Sequence, residues 1–128
     1  MKNILITGGA GLVGTVLTQG LKDKYNVKIL DIKKAEGVES HTGDISNLDS
    51  IMPAFKNIDT VVHLAGDRRV HGEWESILDN NIIGLYNIYE AARLSGVKRV
   101  IFASSQHATG GFYDVEPYSF ISKGEFEK

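Results

Sequence analysis

Cysteine is absent from this 128-residue chain. Its absence rules out disulfides, thiolate metal sites and cysteine nucleophiles. Long hydrophobic runs are missing as well. No segment approaches the length of a membrane span. The apolar run Asn3-Ile4-Leu5-Ile6 is too short for a signal peptide and gives way at once to glycines. Nor is one sign of charge in excess: 14 basic residues face 16 acidic ones, a net charge of −2. The only adjacent basic pairs are Lys33-Lys34, Arg68-Arg69 and Lys98-Arg99, so no cationic stripe follows a nucleic-acid backbone. Nucleic acid and membrane are therefore not expected as partners, and the expected location is cytoplasmic. No metal is expected: His41 and His71 lack metal-ligand spacing with any partner, and His63 is better read as satisfying a hydrogen bond at a strand end. The length fits one domain, residues 1–128, able to bury about two thirds of its unfolded surface.

Glycine, by contrast, is concentrated where it carries information. Thr7-Gly8-Gly9-Ala10-Gly11-Leu12-Val13-Gly14 follows the first apolar run and precedes a helix-like segment. It fits G-x-G-x-x-G and also the narrower T-G-x-x-G-x-x-G. A strand that turns through glycines into a helix lets backbone N–H groups approach a phosphate, with the helix N-terminus aimed at the negative charge.

Short apolar runs recur at Ile4–Ile6, Val27–Leu30, Val61–Leu64 and Val100–Ala103, with an additional short strand near Glu39–Thr42. Nearly continuous runs are expected of parallel strands covered on both faces. Helical patterns alternate with them. Val13, Val16, Leu17, Gly20 and Leu21 share one face of a first helix. A second begins at Asn47 or Asp49 and runs to about Lys56, with Ile51, Met52 and Phe55 inward. A third carries a stripe of Trp74, Ile77, Leu78, Ile82, Leu85, Ile88, Tyr89 and Ala92, ending near Gly96. The alternation predicts a doubly wound α/β sheet of the Rossmann type. Right-handed crossovers give the order 3-2-1-4-5, with the ligand crevice where the winding reverses. Gly8, Asp31, His63-Leu64-Ala65-Gly66 and Ser104-Ser105 all fall at the C-terminal strand ends, so small and polar residues converge on one edge.

Asp31 closes the second strand, 20 residues beyond Gly11. A carboxylate there accepts hydrogen bonds from both ribose hydroxyls of an adenosine and repels a 2′-phosphate, which favours NAD over NADP; the bland alternative is a solvated turn residue. Asp44, in Gly43-Asp44-Ile45, falls either in a loop over the adenine or in turn and capping chemistry. Asn81 lies on the apolar stripe of the third helix, where it either fastens the helix to a loop or organises water; Asn80 falls off the stripe and is expected to be exposed. Ser104 and Ser105 end the last strong strand, where a hydroxyl can bond a substrate alcohol or carbonyl, or merely form a turn. Gln106 and His107 follow, within reach of a polar substrate. Glu73, Glu75 and Asp79 sit around the first turns of the third helix and suit its dipole.

Together these motifs resemble the extended short-chain dehydrogenase/reductase family, the NAD-dependent epimerases and dehydratases. The matching pieces are the glycine turn, Asp31, Gly43-Asp44-Ile45, His63-Leu64-Ala65-Gly66, Asn81-Ile82-Ile83-Gly84 and Phe102-Ala103-Ser104-Ser105, in the family's order over residues 1 to about 110. Glu90-Ala91-Ala92-Arg93 and Ser105-Gln106-His107-Ala108-Thr109-Gly110 look most like the uronate dehydrogenase branch. There a Ser-Asn-His triplet holds the sugar acid. Here Gln106 replaces the Asn, and Arg68 stands where that branch tends to have serine.

The resemblance implies that Gly8, Gly11, Leu12, Val13 and Gly14 surround the cofactor diphosphate and Asp31 holds the ribose. It puts Asp44, Ile45, Leu64, Ala65, Gly66 and Asn81 along the rest of the cofactor. Ser105 would orient the substrate alcohol, with Gln106 and His107 also at the substrate. The family's Tyr-x-x-x-Lys pair, in which lysine lowers the tyrosine pKa, is missing: Tyr118 and Lys123 are five apart, and Tyr89 with Arg93 lies on an earlier helix. The expectation is a chain that stops before the catalytic helix and the substrate-binding region, inactive alone, with its fifth strand an open edge and one helix face uncovered. The usual homodimer interface of the full-length form, through the third helix and a later one, would be incomplete. The function implied is the cofactor-binding portion of an NAD-dependent oxidoreductase acting on a sugar or sugar acid. The alternatives are a nucleotide-sugar epimerase or dehydratase, and a non-catalytic NAD-binding module.

Overall fold

β1 (Asn3–Thr7) is buried along almost its whole length because it lies in the middle of the sheet and is covered on both faces. Parallel neighbours flank it: β2 (Asn26–Asp31) pairs Ile4 with Val27, and β4 (Thr60–His63) pairs Ile4 with Thr60. β3 (Glu39–Thr42) extends the sheet beyond β2, and β5 (Arg99–Phe102) extends it beyond β4. The order is β3-β2-β1-β4-β5, the predicted one. The computed structural model describes residues 1–69, 71–105, 115, 116 and 119.

Alternation along β1 divides the core. Leu5 faces one side with Leu30 and Val61, under Ile51, Phe55, Ile88, Ala91 and Ala92. Ile4 and Ile6 face the other with Val27, under Leu17 and Leu21. The second helix begins as expected at Asn47, whose side chain accepts the Ser50 N–H at 3.2 Å. Its α-helical part, α2 (Leu48–Ile51), tightens into a 3₁₀ turn over Met52–Phe55. Pro53, with no N–H to give, falls at the start of that turn.

Two predicted helix faces are corrected. In α1 (Leu12–Leu21) the buried positions are Gly14 and Thr18, with Leu17 and Leu21 partly buried; Val13, Val16 and Gly20 are exposed. Gly14 draws the helix inward, since a Cβ there would lie 2.5 Å from Gly9 Cα. Close backbone packing, to which hydropathy is blind, sets the rotation.

The third helix runs over residues 74–94, but not with one period. α3 (Trp74–Ile77) passes into a π-helical segment (Leu78–Ile83), then α4 (Gly84–Leu94). The Gly84 N–H bonds Asp79 O, five residues back. The wider turn shifts the phase, so Ile82 and Tyr89 of the predicted stripe are exposed; Trp74, at the start of α3, is exposed as well. The buried face of α4 is Gly84, Asn87, Ile88, Ala91 and Ala92. β5 is mostly exposed, as expected of an edge.

Candidate functional site

A cleft of about 790 Å³ opens over the C-terminal ends of β1, β2 and β4, within the size range of small-molecule sites. Its floor is the glycine turn. Gly8 leaves β1 at φ +69° while its N–H bonds Leu30 O at 2.8 Å, and a Cβ there would meet Ala65 N at 2.7 Å. Only glycine lets the turn pass between β2 and β4 this closely. Gly11 then caps α1 without any side-chain cap, and no acidic residue occupies the first turn. The positive end of a ten-residue helix is thereby left to an anion at the cleft floor.

The wall on the β2 side is Leu30, Asp31, Ile32 and Lys33, with Gly43 and Ile45 beyond it. Asp31 is fixed by backbone donors: Ala10 N–H bonds its Oδ2 at 3.0 Å, and Lys33 N–H bonds its Oδ1 at 3.0 Å. The carboxylate is thus tied to the glycine turn and aimed along the cleft rim, with lone pairs left for hydroxyl donors. Asp44 is exposed in the loop between Gly43 and Ile45. Its Oδ1 accepts both the N–H and the hydroxyl of Ser46, at 2.9 and 2.8 Å. These bonds are turn chemistry at Asp44, while its neighbours Gly43 and Ile45 line the cleft. Ile45 is held from α4: Asn87 Nδ2 donates to Ile45 O at 2.8 Å, and Gly84 leaves room for its side chain.

Leu64, Ala65 and Gly66 line the opposite wall, continued by Asp67, Arg68 and Arg69. Asn81 secures this wall. Its Oδ1 accepts the Asp67 N–H at 2.6 Å and its Nδ2 donates to Asp67 O at 2.9 Å. Asn81, within the π-helical segment, thus fastens the helix to the loop, one of its two sequence readings. Asn80 is not exposed as expected. It is half-buried, lines the cleft, and donates to Ser76 O at 2.9 Å. Arg69 Nε lies 2.9 Å from Asp67 Oδ1, and Ser76 Oγ donates to Asp67 Oδ2 at 2.6 Å. The Arg69 guanidinium beside it holds the Asp67 carboxyl well below the usual carboxylate range.

Beneath the cleft, His63 is buried and stacks on Phe102 with ring centroids 5.6 Å apart. Burial lowers its pKa to about 4. Its hydrogen-bonding partner is Thr7, so it serves the strand end as expected. Among the described residues no group of three or more His, Asp or Glu is placed to hold a metal. None of their helices is long and apolar enough to cross a membrane. Ser104 and Ser105 follow β5 and are exposed. Gln106 and His107, and the Tyr118 and Lys123 of the spacing argument, lie outside the described residues. Sequence reasoning missed Asp67, Arg69 and Asn80 as wall residues. The signal available was the polar run directly after the strand end His63-Leu64-Ala65-Gly66.

Known proteins share this arrangement. The chain is 40% identical over 116 residues to uronate dehydrogenase from Pseudomonas putida, covering 86% of this chain and 42% of that protein. A mutant uronate dehydrogenase from Agrobacterium tumefaciens complexed with NAD superposes with a TM-score of 0.77 at 37% identity, over 84% of this chain and 42% of its own. A UDP-galactose 4-epimerase superposes at 0.78 with 30% identity, over 90% of this chain and 41% of its own. The chain thus spans less than half the length of the curated relatives it matches. The NAD dependent epimerase/dehydratase family model matches residues 4–124, and with the strand order and glycine turn in place this chain belongs to that family.

Proposed function

We propose that this chain is the cofactor-binding portion of an NAD-dependent oxidoreductase that acts on a sugar or sugar acid, most like a uronate dehydrogenase. The observation that carries the reading is the uncapped amino end of α1 at the cleft floor, with the fixed carboxylate of Asp31 on the rim. A dinucleotide fits this donor set. Amides of Leu12, Val13 and Gly14 suit a diphosphate, with the Gly11 N–H closing the turn onto Gly8 O at 3.1 Å, and Asp31 suits the hydroxyls of the adenosine ribose. Gly43 and Ile45 border the adenine end, and Leu64, Ala65 and Gly66 the nicotinamide end. The carboxylate next to a ribose disfavours a 2′-phosphate, which makes NADP the poorer ligand. When bound, the nicotinamide supplies a hydride acceptor.

This chain's own contribution is to hold that acceptor and to orient a substrate. Ser105, which follows β5, bonds the substrate hydroxyl in this reading, with Gln106 and His107 next to it in sequence. The proton acceptor that the family supplies through Tyr-x-x-x-Lys is not among the 128 residues, so this chain by itself is expected to bind NAD and not to turn over. A general base contributes about 10²–10⁴-fold in rate.

A nucleotide-sugar epimerase or dehydratase is the second reading, favoured by the superposition on UDP-galactose 4-epimerase. Calorimetric titration of the chain with NAD tests the cofactor half: saturable binding supports it, and no heat at any concentration of NAD refutes it. Titrating the NAD-loaded chain with free uronate and with a UDP-sugar separates the two substrate readings.

A further inference from the structure

Two adjacent arginines on the cleft wall have opposite surroundings. Arg69 is consumed by the wall itself: Nε contacts both oxygens of Asp67, at 2.9 and 3.1 Å, and its terminal nitrogen reaches Ser76 Oγ at 3.2 Å. Arg68 lines the same cleft, is exposed, and makes no hydrogen bond or ion pair with any described residue. The carboxylates lining the cleft are already engaged. Asp31 takes the Ala10 and Lys33 amides, and Asp67 takes Arg69 and Ser76. None of them neutralises Arg68.

The backbone that carries Arg68 is also held. Asp67, immediately before it, is gripped at both N–H and C=O by Asn81, and Arg69, immediately after it, donates its N–H to Asp67 Oδ1 at 3.0 Å. A guanidinium on a fixed loop loses less freedom on binding than one on a mobile loop. Strand order decides which half of the cleft it serves. Asp31 ends β2 on one side of β1, whereas Arg68 follows β4 on the other side, the side that also carries β5 and Ser105. The diphosphate position over β1 is served by the amides of α1.

We propose that Arg68 is the specificity-determining residue of the substrate end, and that it recognises a negatively charged group, carboxylate or phosphate, on the sugar. The inference rests on the oxidoreductase reading above and narrows its substrates to anionic sugars. The planar guanidinium fork matches both groups with paired, charge-assisted hydrogen bonds, and a neutral sugar leaves it without a partner.

The test uses the whole chain loaded with NAD, as wild type, Arg68→Gln and Arg68→Lys. Glucuronate, glucose 6-phosphate and L-arabinose are titrated while the arginine Nε–Hε NMR signals are followed. The expected result is binding of an anionic sugar at least tenfold tighter than L-arabinose, with movement of the Arg68 signal. Arg68→Gln should lose that preference, Arg68→Lys should keep part of it, and NAD affinity should stay within twofold in both. Tighter binding of glucuronate identifies a carboxylate as the recognised group, and tighter binding of glucose 6-phosphate a phosphate. The proposal is overturned if L-arabinose binds as well as the anions, or if no sugar binds while NAD does; the cofactor reading survives either result. It is also overturned if NAD alone moves the Arg68 signal and Arg68→Gln weakens NAD tenfold, since the guanidinium then serves the diphosphate. A wild type that does not bind NAD overturns both readings together.

Discussion

Thr7 Oγ1 and His63 Nδ1 lie 2.6 Å apart at the C-terminal ends of neighbouring strands, both fully buried beneath the cleft. The Ala65 N–H also points at Thr7 Oγ1, at 3.4 Å. With that lone pair occupied, the threonine proton is available for His63 Nδ1, an arrangement that suits a neutral imidazole protonated at Nε2. The pair joins the turn after β1 to the wall after β4, so the two sides of the cleft share one buried hydrogen bond.

Stability should therefore depend on pH through His63. Its folded pKa is lowered to about 4 against 6.5 for the free side chain. Between these values the unfolded chain binds more protons than the folded one, so stability is complete above pH 6.5 and falls as pH drops toward 4. The loss over that window is about 3 kcal/mol. Urea unfolding at stepped pH should show this slope in the wild type and not in His63→Gln. A wild-type profile that is flat between those limits contradicts the buried neutral imidazole.

Replacing Asn81 should loosen the wall opposite Asp31. Asn81→Leu strips partners from the Asp67 N–H and C=O, at a cost of about 1–3 kcal/mol for each buried group left unpaired. Asn81→Asp keeps the acceptor for the N–H but sets a charge against the carbonyl. Both variants should unfold at lower urea than the wild type and bind NAD more weakly in calorimetry. Unchanged midpoints would show that the loop holds its shape without the amide.

Glycines in α1 should respond in opposite directions. Gly14→Ala drives a methyl to 2.5 Å from Gly9 Cα and 2.6 Å from Gly8 O, where no flexible side chain can yield. A loss of about 1–3 kcal/mol is expected from the overpacking, together with loss of NAD binding as the turn is displaced. Gly20→Ala, in the same helix, meets nothing within 4 Å and should stabilise by about 0.5–1 kcal/mol. Thermal melts of the two variants side by side give the comparison. Equal shifts of the same sign would refute the close-packing argument.

Cofactor choice should reside in Asp31. Asp31→Ala removes the acceptor for the ribose, so NAD affinity is expected to fall far more than NADP affinity in calorimetric titration. Because Asp31 also orients the Ala10 and Lys33 amides, Asp31→Asn is the milder control that retains an acceptor for one of them. Equal losses for both dinucleotides would count against the ribose assignment.

The strand order and the place of the cleft follow from local features of the chain. Apolar runs of three or four residues, glycines after the first and an acid after the second depend only on neighbouring residues, and right-handed winding does the rest. Which helix faces are buried, and which polar side chains hold the walls, was decided in three dimensions. Gly14 and Gly84 are buried because backbone or a side chain from elsewhere in the chain presses against them, and hydropathy assigns no inward force to a missing side chain. The π-helical segment at Leu78–Ile83 rephases the helix after it, which a fixed period of 3.6 residues does not register. Arg68 and Arg69 are identical letters in sequence. Only the folded position of Asp67, 2.9 Å from the Nε of Arg69, leaves one guanidinium paired and the other facing the cleft.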